Sequence, residues 1–438
     1  MESKFFSPHF PFSPYRIPFF YGQIIFFSSL CGRIISIPGH TVGICPFTEP
    51  LITTLEISRI YLSNIFSLAT LFSISVLPIF GGLFDRIGIR RGATYSGFFF
   101  GLTLLFLGNM NRMIAFFSKV MALEVAKACI LFLGFFLLRL LGQNLIPLVS
   151  RMMLLHWYDQ RSCTMIGLTG IFISILFGPA PQLIQMGIER WGYANTWIIL
   201  GIAILLLFVP VIWATCRDRP MPSVIKESDT YSGFQRIISD TQTPFEGKTL
   251  QQALNTFDFW IFVFAIANST LTTTGIQIHM VDIFREAHAY TSQTMGIFLP
   301  MAIVSANFSF LCGILLDKLS IHYCLLGIFL ANALIMGSLE YISSRWGLYL
   351  FIFSSGLNLA LYGITFSAPW PRLFGRQHLG RIMSAVTSIV LIFAAIAPSI
   401  FAYARQWGSY FLATRTLFML SGLGFLSALL KMCRKNAL

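Results

Sequence analysis

Two arginines stand where a membrane-spanning helix should carry no charge. Arg33 lies about 14 residues from either end of the apolar stretch 19–46, and Arg139 lies in the middle of the stretch 124–150. A charge at that depth costs about 2.5–3.5 kcal/mol on insertion scales, and Arg33 is too deep to snorkel easily to either surface. Neither arginine has a carboxylate within its own apolar stretch, because Glu124 sits at the outer start of the second one, spaced to pair with Lys127 at i,i+3. Two unpaired cations favour an anionic solute, whose carboxylate would supply the missing countercharge.

Each arginine brings polar company. Ser36 and His40 fall on the helical face of Arg33, and Pro38 and Gly39 between them predict a kink or partial unwinding beside a cavity. Gln143 follows Arg139 by one turn, with Ser150 two turns further along the same face. On the functional reading Arg33 binds the anionic group, His40 orients the solute or carries a proton, and Arg139 with Gln143 completes the site. On the alternative reading Arg33 is a strut on backbone carbonyls, His40 a packing residue and Arg139 an interhelical hydrogen-bond node.

A second set lies further along the chain. Asn268, Thr272, Gly275 and His279 form one stripe at i, i+4, i+7 and i+11, and the tract Thr272 to Gly275 invites local unwinding because Thr and Gly are weak helix formers. Ser355, Asn358, Tyr362, Thr365 and Pro369 form a similar stripe. These groups would line a cavity by neutral hydrogen bonding, with polar glue between helices as the equal alternative.

The elements that must position these residues follow from composition. With 56% hydrophobic and 11% charged residues and a mean hydropathy of +0.74, the chain cannot close a soluble surface, which normally needs about 25% charged residues. The net charge of +13 is spread through short loops and forms no stripe, which argues against nucleic acid. The eight Cys show no CxxC pair, and the seven His never fall at metal-ligand spacing, so no metal or cofactor is expected.

Runs of about 20 apolar residues fall at 19–46, 61–82, 93–111, 124–150, 163–187, 195–215, 257–281, 291–316, 322–343, 347–370, 381–402 and 411–431, the third and ninth being the weakest. The expected fold is an all-α multi-pass membrane protein with twelve transmembrane helices in two six-helix pseudo-repeats. Its expected parts are a tail at 1–18, a first half at 19–215, a central loop at 216–256, a second half at 257–431 and a tail at 432–438. Alternate loops carry 19 and 7 Lys and Arg, which places both termini and the central loop on the cytoplasmic side.

Between the second and third runs stands GGLFDRIGIRRG, Gly81 to Gly92. Gly81, Leu83, Asp85, Arg86, Gly88, Arg90 and Arg91 match Gly-x-Leu-x-Asp-Arg-x-Gly-x-Arg-Arg, and the stretch resembles the best-known signature of the major facilitator superfamily of transporters. Gly313, Leu315, Asp317 and Lys318 repeat its first part at an offset of 232, with Ser320 and His322 standing where Gly88 and Arg90 stand. The resemblance implies paired six-helix halves, a midplane site between them, and a gating loop in which Asp85 is held by a basic residue or a helix N-terminus. The more complete first copy leads us to expect that Asp85 matters more than Asp317.

Thr249 to Trp260, TLQQALNTFDFW, reads as a short amphipathic helix on the inner surface and is similar to the entry of the seventh helix in the oxalate/formate antiporter and monocarboxylate porter-like branch, with Gln252 in place of its Glu. RLLGQN at 139–144 resembles the Arg-x-x-Gln-Gly motif of proton-coupled members with Gly142 and Gln143 transposed, while Gly178 and Pro179 give only the start of an antiporter motif.

The expectation is a monomeric secondary active transporter of a small solute, an organic anion such as a carboxylate, with a coupling proton as a further candidate. It would work by alternating access in the lipid bilayer of a plasma or bacterial inner membrane. A facilitator or efflux carrier for another solute remains an alternative, as does a transporter-like sensor. A membrane-embedded transferase needs an acid, base or metal constellation, and His156 and Asp159, placed in an inner loop, do not make one. ATP coupling fails because Gln242 stands where the first glycine of a phosphate loop belongs.

Overall fold

In hydrocarbon every backbone N–H and C=O must be paired within its own segment, so long apolar runs become helices. The computed structural model describes residues 10–11, 20–158, 161–177, 179–218, 247–287 and 297–436. Asp159, Gly178, Gln242 and most of the amino-terminal tail and central loop lie outside the described residues.

The first run is a broken helix. It opens as α1 (Gly22–Ile35), passes through a one-turn 3₁₀ helix (Ile37–Gly39) to α2 (Thr41–Ile44), then through a second (Cys45–Phe47) to α3 (Thr48–Leu55). The break falls at Pro38 and Gly39, as expected from a residue that lacks an N–H and one that lacks a Cβ. α4 (Arg59–Ile87), α5 (Ile89–Gly108) and α6 (Met110–Phe117) follow. α7 (Leu123–Leu138) runs through a π-helical segment (Arg139–Leu145) into α8 (Ile146–Trp157). Pro147 explains the widened turn, because it has no N–H to give to the Gln143 carbonyl. Next come α9 (Ser162–Phe177), α10 (Ala180–Trp191) and α11 (Tyr193–Ala203), which passes through a second π segment (Ile204–Phe208), again followed by a proline, into α12 (Val209–Thr215).

After the central loop stand α13 (Leu250–Leu254), α14 (Phe257–Glu286), α15 (Phe298–Lys318), α16 (Tyr323–Leu339), α17 (Arg345–Thr365), α18 (Pro369–Phe374), α19 (Leu379–Gln406) and α20 (Tyr410–Asn436). Thr249 and Gln252 form a capping box on α13, each side chain bonding the other's backbone N–H. Two expectations are corrected here. α14 continues unbroken through Thr272 to Gly275, and Thr270 and Thr273 turn their hydroxyls back onto the Ile266 and Ser269 carbonyls of the same helix. His156 is not in a loop but is buried in the last turn of α8, where its Nδ1 meets the Met152 carbonyl at 2.8 Å.

Among the described residues nine helices are long and apolar enough to cross a membrane, and the pair α5 and α6, bent by 66°, would make ten. The runs that depart from a straight span are the first, third and ninth: broken at Pro38, bent after Gly108, and only 17 residues long in α16.

The chain forms two compact units. The first is Met1–Asp159, Ile175–Pro244 and His378–Ser384; the second is Gln160–Ser174, Phe245–Gln377 and Ala385–Leu438. In the first, Phe47 and Trp197 are fully buried and stack at 3.7 Å between ring centroids. The second has an aromatic and aliphatic core that includes Phe284, Phe351 and Phe401.

Glycine decides one close approach in the first unit. A Cβ on Gly39 would lie 2.5 Å from the Gly142 Cα, and one on Gly142 would lie 2.7 Å from the Gly39 Cα. The break in the first run is thereby packed backbone to backbone on the π segment. Gly39→Ala and Gly142→Ala are each expected to cost about 1–3 kcal/mol through overpacking. Gly363→Ala, whose Cβ would meet nothing within 4 Å, should cost far less. Melting curves in detergent test this, and equal melting temperatures for the three variants would contradict it.

Candidate substrate site

The contact between Gly39 and Gly142 brings together the two arginines' segments, and their polar groups lie around it. Ser36 donates to the Arg33 carbonyl at 2.6 Å and its hydroxyl meets His40 Nε2 at 3.2 Å across the break. His40 also meets the ring of Phe177 edge-on at 5.3 Å. Arg33, Arg139 and Arg151 all lie within electrostatic reach of His40.

The arginines are held differently. Arg139 is 5% exposed; its Nε donates to Thr70 Oγ1 at 3.1 Å, one terminal nitrogen donates to Thr41 Oγ1 at 3.2 Å, and the guanidinium lies 4.9 Å from the ring centre of Phe66. Hydroxyl dipoles and an aromatic face thus stabilise this cation without a carboxylate. Arg33 Nε is buried with no hydrogen-bond partner among the described residues, and so are Gln143 Oε1 and Ser150 Oγ. A buried donor or acceptor left unpaired costs about 1–3 kcal/mol, which a bound solute would recover. Beside them Asn144 donates to Ser73 Oγ at 3.2 Å and fastens the π segment to α4. Thr41, Thr70 and Phe66 escaped the sequence reading, since nothing in a lone Thr or Phe on another helix marks it as an arginine's partner, while Arg151, counted from sequence among the inner-loop cations, lies within α8.

The stripes expected to line one wall of a cavity are split in the second unit. From α14, Asn268 donates to Ser421 of α20 at 2.8 Å and His279 Nε2 donates to the Pro398 carbonyl of α19 at 3.0 Å. Thr272 between them is buried with its hydroxyl unpartnered. From α17, Asn358 accepts from Ser269 at 2.7 Å and donates to Asn332 at 2.9 Å, while Tyr362 Oη accepts from Thr270 at 3.2 Å. Asn358 and Tyr362 therefore meet Ser269 and Thr270, a different face of α14 from the one that carries Asn268 and His279.

The two loop motifs share one chemistry. Asp85, in the last turn of α4, accepts the backbone N–H of Gly380 at 2.7 Å and of Arg381 at 2.9 Å, the first turn of α19. Asp317, at the end of α15, accepts the N–H of Cys163 at 3.0 Å and of Thr164 at 2.8 Å, the first turn of α9. In each case a carboxylate sits on the positive end of a helix dipole. Gly81 and Gly313 serve the same approach, since a Cβ on Gly81 would strike the Gly380 carbonyl and one on Gly313 would lie 2.7 Å from the Cys163 carbonyl.

The basic residues of the first loop divide. Arg86 is exposed and Arg91 half-buried. Arg90 is 1% exposed, with side-chain bonds to the Trp213 and Phe10 carbonyls and its backbone N–H bonded to Asp218 Oδ1 at 2.8 Å. The end of α12 and Phe10 cover it. Asp218 also lies against Gly88, whose φ of +89° suits glycine.

In the shorter second copy Asp317 also pairs with an arginine side chain. Arg372 of α18 pairs with Asp317 at 2.6 Å and also donates to the Leu316 carbonyl and to Ser162 Oγ.

A family model described as Major Facilitator Superfamily matches residues 24–398. No curated protein sequence matches the chain. Among solved structures, the E. coli fucose:proton symporter FucP aligns over 94% of this chain and 98% of its own, with a TM-score of 0.65 at 13% identity. The proton:xylose symporter XylE aligns over 93% and 94%, with a TM-score of 0.62 at 13% identity. The human organic anion transporter MFSD10 aligns over 93% and 99%, with a TM-score of 0.58 at 13% identity.

For stability, as distinct from transport, the contacts lead us to expect the opposite order from motif completeness. Asp317→Asn strands the Arg372 guanidinium as well as weakening the helix cap, and is expected to lower the melting temperature more than Asp85→Asn. Adding Arg372→Gln to Asp317→Asn should recover part of the loss. A larger effect at Asp85, or no recovery in the double variant, would contradict this.

Proposed function

The chain belongs to the major facilitator superfamily, a family of membrane transporters rather than enzymes, and on that premise we propose that it is a secondary active carrier of a small organic anion. The observation that carries the reading is Arg33. It stands in the last turn of α1, just before the break, with a buried Nε that has no acceptor among the described residues. Around the same place Arg139 and Arg151 add positive charge at His40, and Arg139 is held by hydroxyls with no carboxylate partner among the described residues. A bound carboxylate supplies both the countercharge and the acceptor. The Ser150 hydroxyl, also unpartnered, can donate to the carboxylate, and the unpartnered Gln143 Oε1 can accept from a donor elsewhere on the solute.

Transport follows by alternating access. The loops centred on Asp85 and Asp317 are the gating elements, because each holds the N-terminus of a helix by two bonds that break together when that helix withdraws. Their position on the inner side, with cytoplasmic termini, rests on the 19 to 7 division of Lys and Arg between alternate loops. The branch that carries oxalate, formate and monocarboxylates is the nearest fit in sequence pattern, supported by the capping box of Thr249 and Gln252. MFSD10 is described as an organic anion transporter, but at 13% identity that likeness carries the fold alone, and the substrate class rests on the cations.

Thermal shift with acetate, pyruvate, succinate, phosphate and glycine, and with fucose and xylose as neutral comparators, tests the reading. An anion at about 100 times its dissociation constant stabilises by about 2.7 kcal/mol, and Arg33→Ala and Arg139→Ala should abolish both that shift and uptake into proteoliposomes. Stabilisation by a neutral sugar alone, or unchanged uptake in both variants, would overturn it.

A further inference from the structure

Six residues with prolines at 369 and 371 close too few backbone hydrogen bonds for α18 to hold its shape alone. Yet α18 carries Arg372 in its last turn, and must set it 2.6 Å from Asp317 and within reach of the Leu316 carbonyl and Ser162 Oγ. Two contacts from outside the helix hold it. One is an aromatic stack on α14: the Trp370 and Phe374 rings lie 13° from parallel, Phe259 packs on them at 5.7 and 6.3 Å, and Phe262 meets Trp370 at 6.2 Å. The other comes from the end of the central loop. Gly247 and Gly375 form an antiparallel bridge beside which the Lys248 N–H donates to the Phe374 carbonyl at 2.8 Å. We propose that Gly247 and Lys248 are positioning residues of the gate, a clasp by which the end of the central loop keeps Arg372 on Asp317. The proposal rests on the reading of the Asp317 loop as a gating element for its meaning, but the clasp is testable without any solute.

The chemistry of the clasp follows from how α18 ends. The Phe374 carbonyl is among the last four of its helix, which find no N–H within it. The Gly375 N–H is already given to the Pro371 carbonyl at 3.1 Å, and its φ of +79° turns the chain out of the helix. Lys248 supplies the donor that the helix lacks. A Cβ at Gly247 would lie 3.1 Å from both the Phe374 oxygen and the Gln377 nitrogen, so the approach suits glycine. The Lys248 ammonium adds a weaker contact, 6.0 Å from the centre of the Phe374 ring. One residue thus holds Phe374 by its carbonyl and by its ring.

The other side of the clasp is anchored. Thr249, the next residue, caps α13; Thr256 caps α14 by accepting the Phe259 N–H at 3.3 Å; and Trp260 donates to the Leu254 carbonyl at 2.7 Å. Two caps and a side-chain bond in succession leave little slack between Lys248 and α14, the helix whose Phe259 also packs on α18. All of these residues, with Cys163, Thr164 and Asp317, belong to the second unit. When the clasp loosens, α18 moves and Arg372 moves with it, while Asp317 keeps the N–H groups of Cys163 and Thr164. A pull on the central loop therefore reaches the Asp317 contact through one backbone hydrogen bond.

Hydrogen exchange, read at the Cys163 and Thr164 amides of the full-length protein in lipid nanodiscs, tests the proposal. Lys248→Pro deletes the N–H, whereas Lys248→Ala keeps it and deletes only the cation. Lys248→Pro is expected to speed exchange at both amides by about fivefold, the size of one net hydrogen bond, and Lys248→Ala by less than about twofold. Gly247→Val, which keeps every N–H and crowds the bridge, should act in the same direction as Lys248→Pro and decides the matter even where the proline variant fails to fold. A positioning role carries a further condition that general loosening would not meet. In Arg372→Gln protein, where the pair with Asp317 is already gone, Lys248→Pro should add nothing. Equal effects of Lys248→Pro and Lys248→Ala, no change in either Lys248→Pro or Gly247→Val, or the same step in the Arg372→Gln background would overturn the proposal. Failure of the anion screen would sink the carrier reading and leave the exchange result standing on its own.

Discussion

A guanidinium inside a bilayer must find a countercharge or a set of dipoles, and the first unit is arranged around two that find no carboxylate among the described residues. Arg139 takes the second solution. Thr41 comes from α2, and Thr70 and the ring of Phe66 come from α4, to meet it, and each must be held in register for the arrangement to work. The break at Pro38 and Gly39 delivers Thr41, and the π segment at 139–145 turns the arginine toward it. The backbone approach of Gly39 to Gly142 locks the two irregular segments together. Arg33, one helical turn before the break, keeps an unpartnered Nε. The fold thus satisfies one buried cation with dipoles and leaves an atom of the other open.

The loop motifs show the same economy at the membrane surface. What repeats at the offset of 232 is less a string of residues than one arrangement: a glycine that lets two helices touch, and a carboxylate one turn on that receives the first N–H groups of the helix it touches. The second copy lost its distal arginine and glycine in sequence, yet its carboxylate is the better held. Arg372 arrives from α18 to pair with it. A helix cap needs two free N–H groups and one charge, and it tolerates the loss of everything else in the motif.

The apolar runs made the all-helical membrane architecture legible, and Pro38 with Gly39 announced the broken first run. Asp85 could be assigned a helix N-terminus or a cation as its partner from the motif alone, and the N-terminus is what it has. Sequence spacing along one helix names the residues on a face but not the helix that the face meets, which is why Asn268 and Asn358 read as one wall and prove to meet different partners. The motif could not show that Arg90 is covered, because the residues that cover it, Trp213 and Phe10, lie 123 and 80 positions away. Thr272 to Gly275 read as weak helix because propensity scales are measured in water. In an apolar setting the backbone has no other partner, and threonine hydroxyls fold back onto the preceding turn.

The central claim is that a solute anion is the missing partner of Arg33. The most direct measurement is an electron cryomicroscopy map of the protein in nanodiscs, with and without the carboxylate that stabilises it best. The account predicts solute density within hydrogen-bond distance of Arg33 Nε, with the Gln143 amide also engaged and Arg139 still bound to Thr41 and Thr70. Density elsewhere, with Arg33 satisfied by protein carbonyls in both maps, would contradict it.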